Sequence, residues 1–102
     1  MKRLLAISLI YCFSLPISLS KPIDVIIYSA TSWYRHPEIP KLNGFLVRLG
    51  AKHNINISVT ENPADLKQEN LKDYNLLLLN NATNLGENIP TEIQKGIINW
   101  FE

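Results

Sequence analysis

Between Ser29 and His36 the chain sets out hydroxyls, aromatic rings, a guanidinium and an imidazole within a few residues, as Ser-Ala-Thr-Ser-Trp-Tyr-Arg-His. Imidazole titrates near neutral pH, so His36 is the candidate acid, base or ligand-contacting group. Arg35 carries the planar fork of donors that suits a carboxylate or an anionic sugar. Trp33 and Tyr34 present faces on which a sugar ring could stack, and Ser29 and Thr31 present hydroxyls that could hydrogen-bond it. Each has a plainer use: hydroxyls satisfy turn backbone and aromatics cover loops. No base is paired in sequence with Ser29 or Ser32, which argues against a serine nucleophile. One histidine cannot build a metal site, which takes three or four ligands. His53 sits at the wrong end of its helix to join it. A second polar group, Asn80 and Asn81, follows a run of four leucines. Glu61, Asp65 and Glu69 read as a solvated stretch, not as paired catalytic carboxylates.

These groups need a frame. Ile23 to Tyr28 is a near-continuous run of β-branched and aromatic residues, the pattern of a strand buried on both faces of a parallel sheet. A helix is expected from about Glu38, with Pro40 in its first turn. Ile39, Leu42, Phe45, Leu46 and Leu49 are expected to face the sheet, with Gly44 allowing close approach to a strand. Asn54 is the expected stop, with Lys52 and His53 at the negative end of the helix dipole. Ile55, Ile57 and Val59 alternate as a half-buried strand nearer an edge than the first. Ala64 to Leu71 is expected to be a short helix. Leu76 to Leu79 has good helix propensity, but the run is short and bounded by polar residues, so a central buried strand is expected. Gly86 to Pro90 reads as loop. Thr91-Glu92-Ile93-Gln94 has capping-box spacing, opening a helix whose apolar face is Ile93, Ile97, Trp100 and Phe101, with Ile98 beside it.

Strand, helix, strand, short helix, strand, helix implies right-handed crossovers and a parallel α/β sheet covered by helices. In such sheets ligands sit beyond the carboxyl ends of the strands, where Ser29–His36 and Asn80–Asn81 should share a rim. Doubly wound domains usually have five or more strands, so about three strands ending on an apolar helix read as the first half of something larger. That helix face, Ile93, Ile97, Trp100 and Phe101, is then a candidate surface for self-association or a partner.

The first 20 residues read as a signal peptide. Lys2 and Arg3 precede the apolar stretch Leu4–Leu15, and small residues at Ser18 and Ser20 permit cleavage after Ser20. The stretch is short for a membrane span. Tyr11 before Cys12 argues against a lipoprotein. The expected location is periplasmic or secreted, with membrane contact only through this segment. Cleavage would remove the one cysteine and leave eight basic against nine acidic side chains, which is no nucleic-acid footprint. Asn56-Ile57-Ser58 and Asn81-Ala82-Thr83 carry the N-glycosylation pattern, relevant in a eukaryotic secretory pathway.

Three motifs in order carry a resemblance. Trp33-Tyr34-Arg35-His36 followed by Ile39-Pro40 is similar to the Gly-Phe-Arg-His-like loop and Ile-Pro helix start of the ThuA-like, or trehalose-utilisation, family. Thr60-Glu61-Asn62-Pro63 after the second strand, and Leu71-Lys72-Asp73-Tyr74-Asn75 before the third, resemble that family too. The resemblance covers nearly all of residues 22–102. It implies the N-terminal half of a flavodoxin-like, doubly wound domain of the class I glutamine-amidotransferase-like superfamily, linked to disaccharide or keto-sugar catabolism. It further implies His36 as catalytic group, and Ser29, Thr31, Tyr34, Arg35, Asn80 and Asn81 as contacts to a sugar derivative, with no cofactor or metal. Trp33 departs from the family's usual glycine, and Asn75 from its usual aspartate. The family's later glycine-rich turn with its histidine, and the superfamily's Cys-His-Glu set, find no counterpart in these residues. The rival readings are a non-catalytic binding module and a flavin or nucleotide binder. The first loop lacks the phosphate cradle that the last would favour.

Overall fold

The computed structural model describes residues 21–102, so the expected signal peptide, its expected cleavage point and Cys12 lie outside the described residues. Three parallel strands form one sheet: β1 (Ile23–Tyr28), β2 (Ile55–Thr60) and β3 (Leu76–Leu79), in the order β2-β1-β3. β1 is the middle strand. Ile27 lies between Val59 and Leu78, and Tyr28 between Thr60 and Leu79. Its buried apolar run follows from that position, because helices cover both faces. β3 is a strand, as its short bounded run suggests. It is not central, however: it pairs with β1 alone among the described residues, and Leu76 and Leu79 are about half exposed.

Helix α1 (Ile39–Lys52) covers one face, with Pro40 in its first turn. Its buried stripe is Ile39, Asn43 and Gly50, with Leu46 half-buried. The expected stripe through Leu42, Phe45 and Leu49 is corrected, since these three are partly exposed. Two stripes were open to the helical period, and the choice between them follows from close approach to β2. A Cβ on Gly50 would lie 2.8 Å from the Ile55 carbonyl oxygen and from Ile57 Cδ1. Gly50, not Gly44, is therefore the close-approach glycine; Gly44 meets only the Arg48 guanidinium of its own helix. Asn54 ends the helix in the left-handed conformation (φ 60°), as expected of a C-terminal asparagine.

The other face carries the main core. Ile26 and Tyr28 pack with Leu66, Leu71 and Ile89, bordered by Tyr74, Leu77, Leu85, Ile93, Ile97 and Trp100. The segment expected as one helix over Ala64–Leu71 is two pieces, a 3-10 turn (Pro63–Leu66) and α2 (Gln68–Leu71). Lys67, extended at ψ 147°, separates them. Gly86–Pro90 is not all loop, since α3 (Leu85–Asn88) occupies most of it. Helix α4 (Thr91–Phe101) starts after Pro90 with no side-chain cap. The capping-box expectation fails because Thr91 is already helical. Gln94 instead donates to the Ile89 carbonyl at 2.7 Å and the Gly86 carbonyl at 3.2 Å. Ile93, Ile97 and Trp100 pack inward, whereas Phe101 is 82% exposed and Ile98 57%. Any partner surface on α4 thus rests on Phe101 and Ile98. No described helix is long and apolar enough to cross a membrane.

Candidate functional site

Because the strands are parallel, the segments leaving β1, β2 and β3 emerge on one edge of the sheet. Backbone bonds continue the sheet into these loops: Ser29 N–H donates to the Thr60 carbonyl, Asn80 N–H to the Tyr28 carbonyl and Thr83 N–H to the Ala30 carbonyl. The Ser29–His36 loop and the Asn80–Asn81 segment are thereby joined at one rim.

Beneath that rim runs a chain of amides. Asn81 Nδ2 donates to Asn80 Oδ1 at 2.8 Å, Asn80 Nδ2 to Asn43 Oδ1 at 2.9 Å, and Asn43 Nδ2 to Ser29 Oγ at 3.0 Å. Ser29, Asn43 and Asn80 are all buried. Ser29 and Asn80, expected as ligand contacts, are turned inward and joined to each other through Asn43. The reason is that buried polar groups must be paired, and these satisfy one another where α1, β1 and β3 meet. Asn81 is the exposed end of the chain, held at φ 55°. Asn43 did not stand out in the sequence. The signal was there, in a polar residue on the Ile39–Leu46–Gly50 stripe, but the competing leucine stripe concealed it.

Arg35 anchors the loop. Its Nη1 donates to the Ser29 carbonyl at 3.1 Å, and its Nη2 pairs with the Glu61 carboxylate after β2. Arg35 is therefore not a free anion fork, and Glu61 is not merely solvated. A second tie joins the loops through Ser32, whose N–H donates to Thr83 Oγ1 at 2.9 Å. The Ser32 hydroxyl accepts from Asn88 Nδ2 at 3.0 Å, and that amide also reaches the Thr83 carbonyl at 3.1 Å. Thr83 and Asn88 are structural residues that motif reading overlooked, since short polar side chains in a loop or closing a four-residue helix carry no periodic signal.

What this scaffold leaves outward is an aromatic–imidazole group. Trp33 is 92% exposed and left-handed at φ 64°, a conformation that strongly favours glycine over a bulky residue. Tyr34 is largely exposed and meets His36 edge-to-face, with ring centroids 5.0 Å apart and planes at 88°. No hydrogen bond within the described residues holds the His36 side chain. Thr31 is half-buried beside them. Among the described residues no three His, Asp or Glu side chains converge as metal ligands.

A cleft of about 380 Å³ opens elsewhere, along β2 on the α2 side, lined by residues including Ser58, Thr60, Asp65, Asn70, Asp73 and Tyr74. Thr60 Oγ1 donates to the Asp65 carboxylate across its wall. Under the core, the Tyr28 hydroxyl is buried with no hydrogen-bond partner among the described residues. Burial raises its pKa above the usual phenol value, and the Glu61 charge adds to the rise. A scan against protein-family models, a search of curated proteins and a search of solved structures each find no match for the chain.

Proposed function

We propose that this chain is an exported ThuA-like α/β domain of flavodoxin-like, doubly wound type that binds a sugar derivative at the rim beyond β1. His36 is its ligand-contacting or acid–base group, and Tyr34 and Trp33 are its stacking surfaces. The observation carrying the reading is the exposed Tyr34–His36 edge-to-face pair beside Trp33, mounted on a loop that Arg35 and Ser32 tie down at both ends. A fixed aromatic ledge with a neighbouring titratable donor suits a polyhydroxylated ring, whose apolar face stacks while its hydroxyls seek partners. The left-handed Trp33 stands where ThuA-like loops have glycine, and a strained exposed side chain in such a place is consistent with a binding role. Of the other expected contacts, Thr31 is half-buried and Asn81 exposed.

A second reading, binding without turnover, is favoured by one feature. Among the described residues the His36 side chain has no hydrogen-bonded partner to orient it, and Ser29, Asn80 and Arg35 are occupied internally. Titration of the full chain with trehalose and with a 3-keto-disaccharide, followed by NMR, tests both readings. The enzyme-like reading expects saturable binding weakened about tenfold or more by His36→Ala, with turnover of one sugar. Binding that survives His36→Ala, falls with Trp33→Ala and shows no turnover favours the module. Absence of saturable binding to either sugar removes the carbohydrate reading.

A further inference from the structure

Of the chain's asparagines, Asn43 alone is followed by glycine. The pair matters because of a reaction that an asparagine carries within its own backbone. The nitrogen of the next residue gives up its proton and bonds to the side-chain Cγ. The Cγ–Nδ2 bond breaks, and the side-chain nitrogen leaves as ammonia. A Cβ on the attacking residue obstructs this ring closure. Gly44 has none, and a glycine backbone is the freest of all. The resulting succinimide takes up one water, the sole co-reactant, and opens at either carbonyl. One opening gives aspartate. The other gives isoaspartate, whose main chain runs through the former side chain.

The fold keeps this reactive pair under guard. Asn43 and Gly44 lie within α1, where a peptide N–H is held to the carbonyl four residues back, for Gly44 that of Pro40. Closing the ring requires Asn43 to leave the helical ψ of about −42°. The Asn43 side chain is 7% exposed and engaged at both ends, its Nδ2 donating to Ser29 Oγ and its Oδ1 accepting from Asn80 Nδ2. None of these restraints survives in the unfolded chain.

Position 43 is also where conversion does most harm. Aspartate there lacks the Nδ2 donor that Ser29 Oγ receives, and it places a negative charge between buried Ser29 and buried Asn80. The Arg35 fork that reaches this corner is already spent on the Ser29 carbonyl and on Glu61. Isoaspartate adds a main-chain atom inside α1, so the hydrogen-bonded rings that span it no longer close. Ile39 and Gly50, on either side of the break, then cannot both keep their buried places. We infer that Asn43-Gly44 is a modification site gated by folding. The folded chain preserves its amide hub, whereas time spent unfolded converts it, with water as reagent, into a chain that does not refold. Unfolding becomes irreversible on the timescale of this chemistry, and the folded chain converts in proportion to the fraction of molecules with α1 open. The gate lies in the scaffold and operates whatever the rim binds.

Ageing the full chain at mildly alkaline pH, in buffer and in guanidinium chloride, tests the inference, with peptide mapping that separates asparagine, aspartate and isoaspartate. In guanidinium, residue 43 should convert before any other asparagine. In buffer its conversion should be slower by about a hundredfold or more. On dilution from guanidinium, the fraction that regains the native circular-dichroism spectrum should fall in step with conversion. Gly44→Ala, whose added Cβ meets only the end of Arg48, should fold, resist conversion and keep its refolding yield through the same ageing. Four results overturn the inference: equal rates in buffer and guanidinium, another asparagine converting ahead of Asn43 in guanidinium, converted chains that refold as fully as fresh ones, or a Gly44→Ala chain that loses refolding at the wild-type pace.

Discussion

Among the described residues Tyr28 supplies the largest fully buried side chain, and its hydroxyl has no partner. A buried donor without a partner costs about 1–3 kcal/mol, so Tyr28→Phe should raise the unfolding free energy by about 1 kcal/mol in urea denaturation. The pH dependence has a definite sign. The folded phenol holds its proton more tightly than the unfolded one, whose pKa is near 10.0. The contribution of this protonated form to stability is complete below pH 10.0 and is lost as pH climbs through the raised folded value. Between pH 9 and pH 11, wild type should therefore lose more stability than Tyr28→Phe. Asn43 poses the opposite case. Asn43→Ala strands the Ser29 hydroxyl and the Asn80 amide together, and a loss of about 2–4 kcal/mol is expected in the same assay. At this scale the sequence was legible outside and illegible inside. His36, Tyr34 and Trp33 stand exposed where their chemistry suggested, since nothing in the loop competes for them. That Ser29, Asn80 and Arg35 are engaged internally was not legible, because their partners, Asn43 and Glu61, come from elements whose juxtaposition no local pattern encodes.

Elements were legible where a period or a boundary residue was decisive. The apolar run Ile23–Tyr28 gives β1 at its observed limits, and the left-handed Asn54 closes α1. The four leucines form a strand against their helix propensity, because tertiary pairing with β1 outweighs it. Which way α1 turned was not legible, since leucine and phenylalanine outscore asparagine and glycine in any apolar count. Packing distance reverses that ranking, and this can be tested by adding one methyl group at each of two glycines. Gly50→Ala forces a Cβ to within 2.8 Å of backbone and of Ile57, so a loss of about 1–3 kcal/mol is expected. Gly44→Ala meets only the mobile end of Arg48 at 3.3 Å and gains helix propensity, so it should be neutral or stabilising by up to about 1 kcal/mol. Equal effects at the two sites would show that α1 approaches β2 differently from the arrangement described.

At the scale of the whole molecule, the two faces of the sheet are closed by unequal amounts of chain. α1 alone covers one face, whereas the 3-10 turn, α2 and α4 bring the main core onto the other. A chain of this size buries a modest fraction of its unfolded surface, and its free energy of folding is correspondingly small. Truncating one fully buried side chain of that core should remove much of it: Leu71→Ala is expected to lower the unfolding free energy by about 2–5 kcal/mol in urea denaturation. Phe101→Ala, at a side chain 82% exposed, should change it by no more than about 0.5 kcal/mol. Equal losses at the two positions would place Phe101 in the core and would contradict the packing of α4 through Ile93, Ile97 and Trp100.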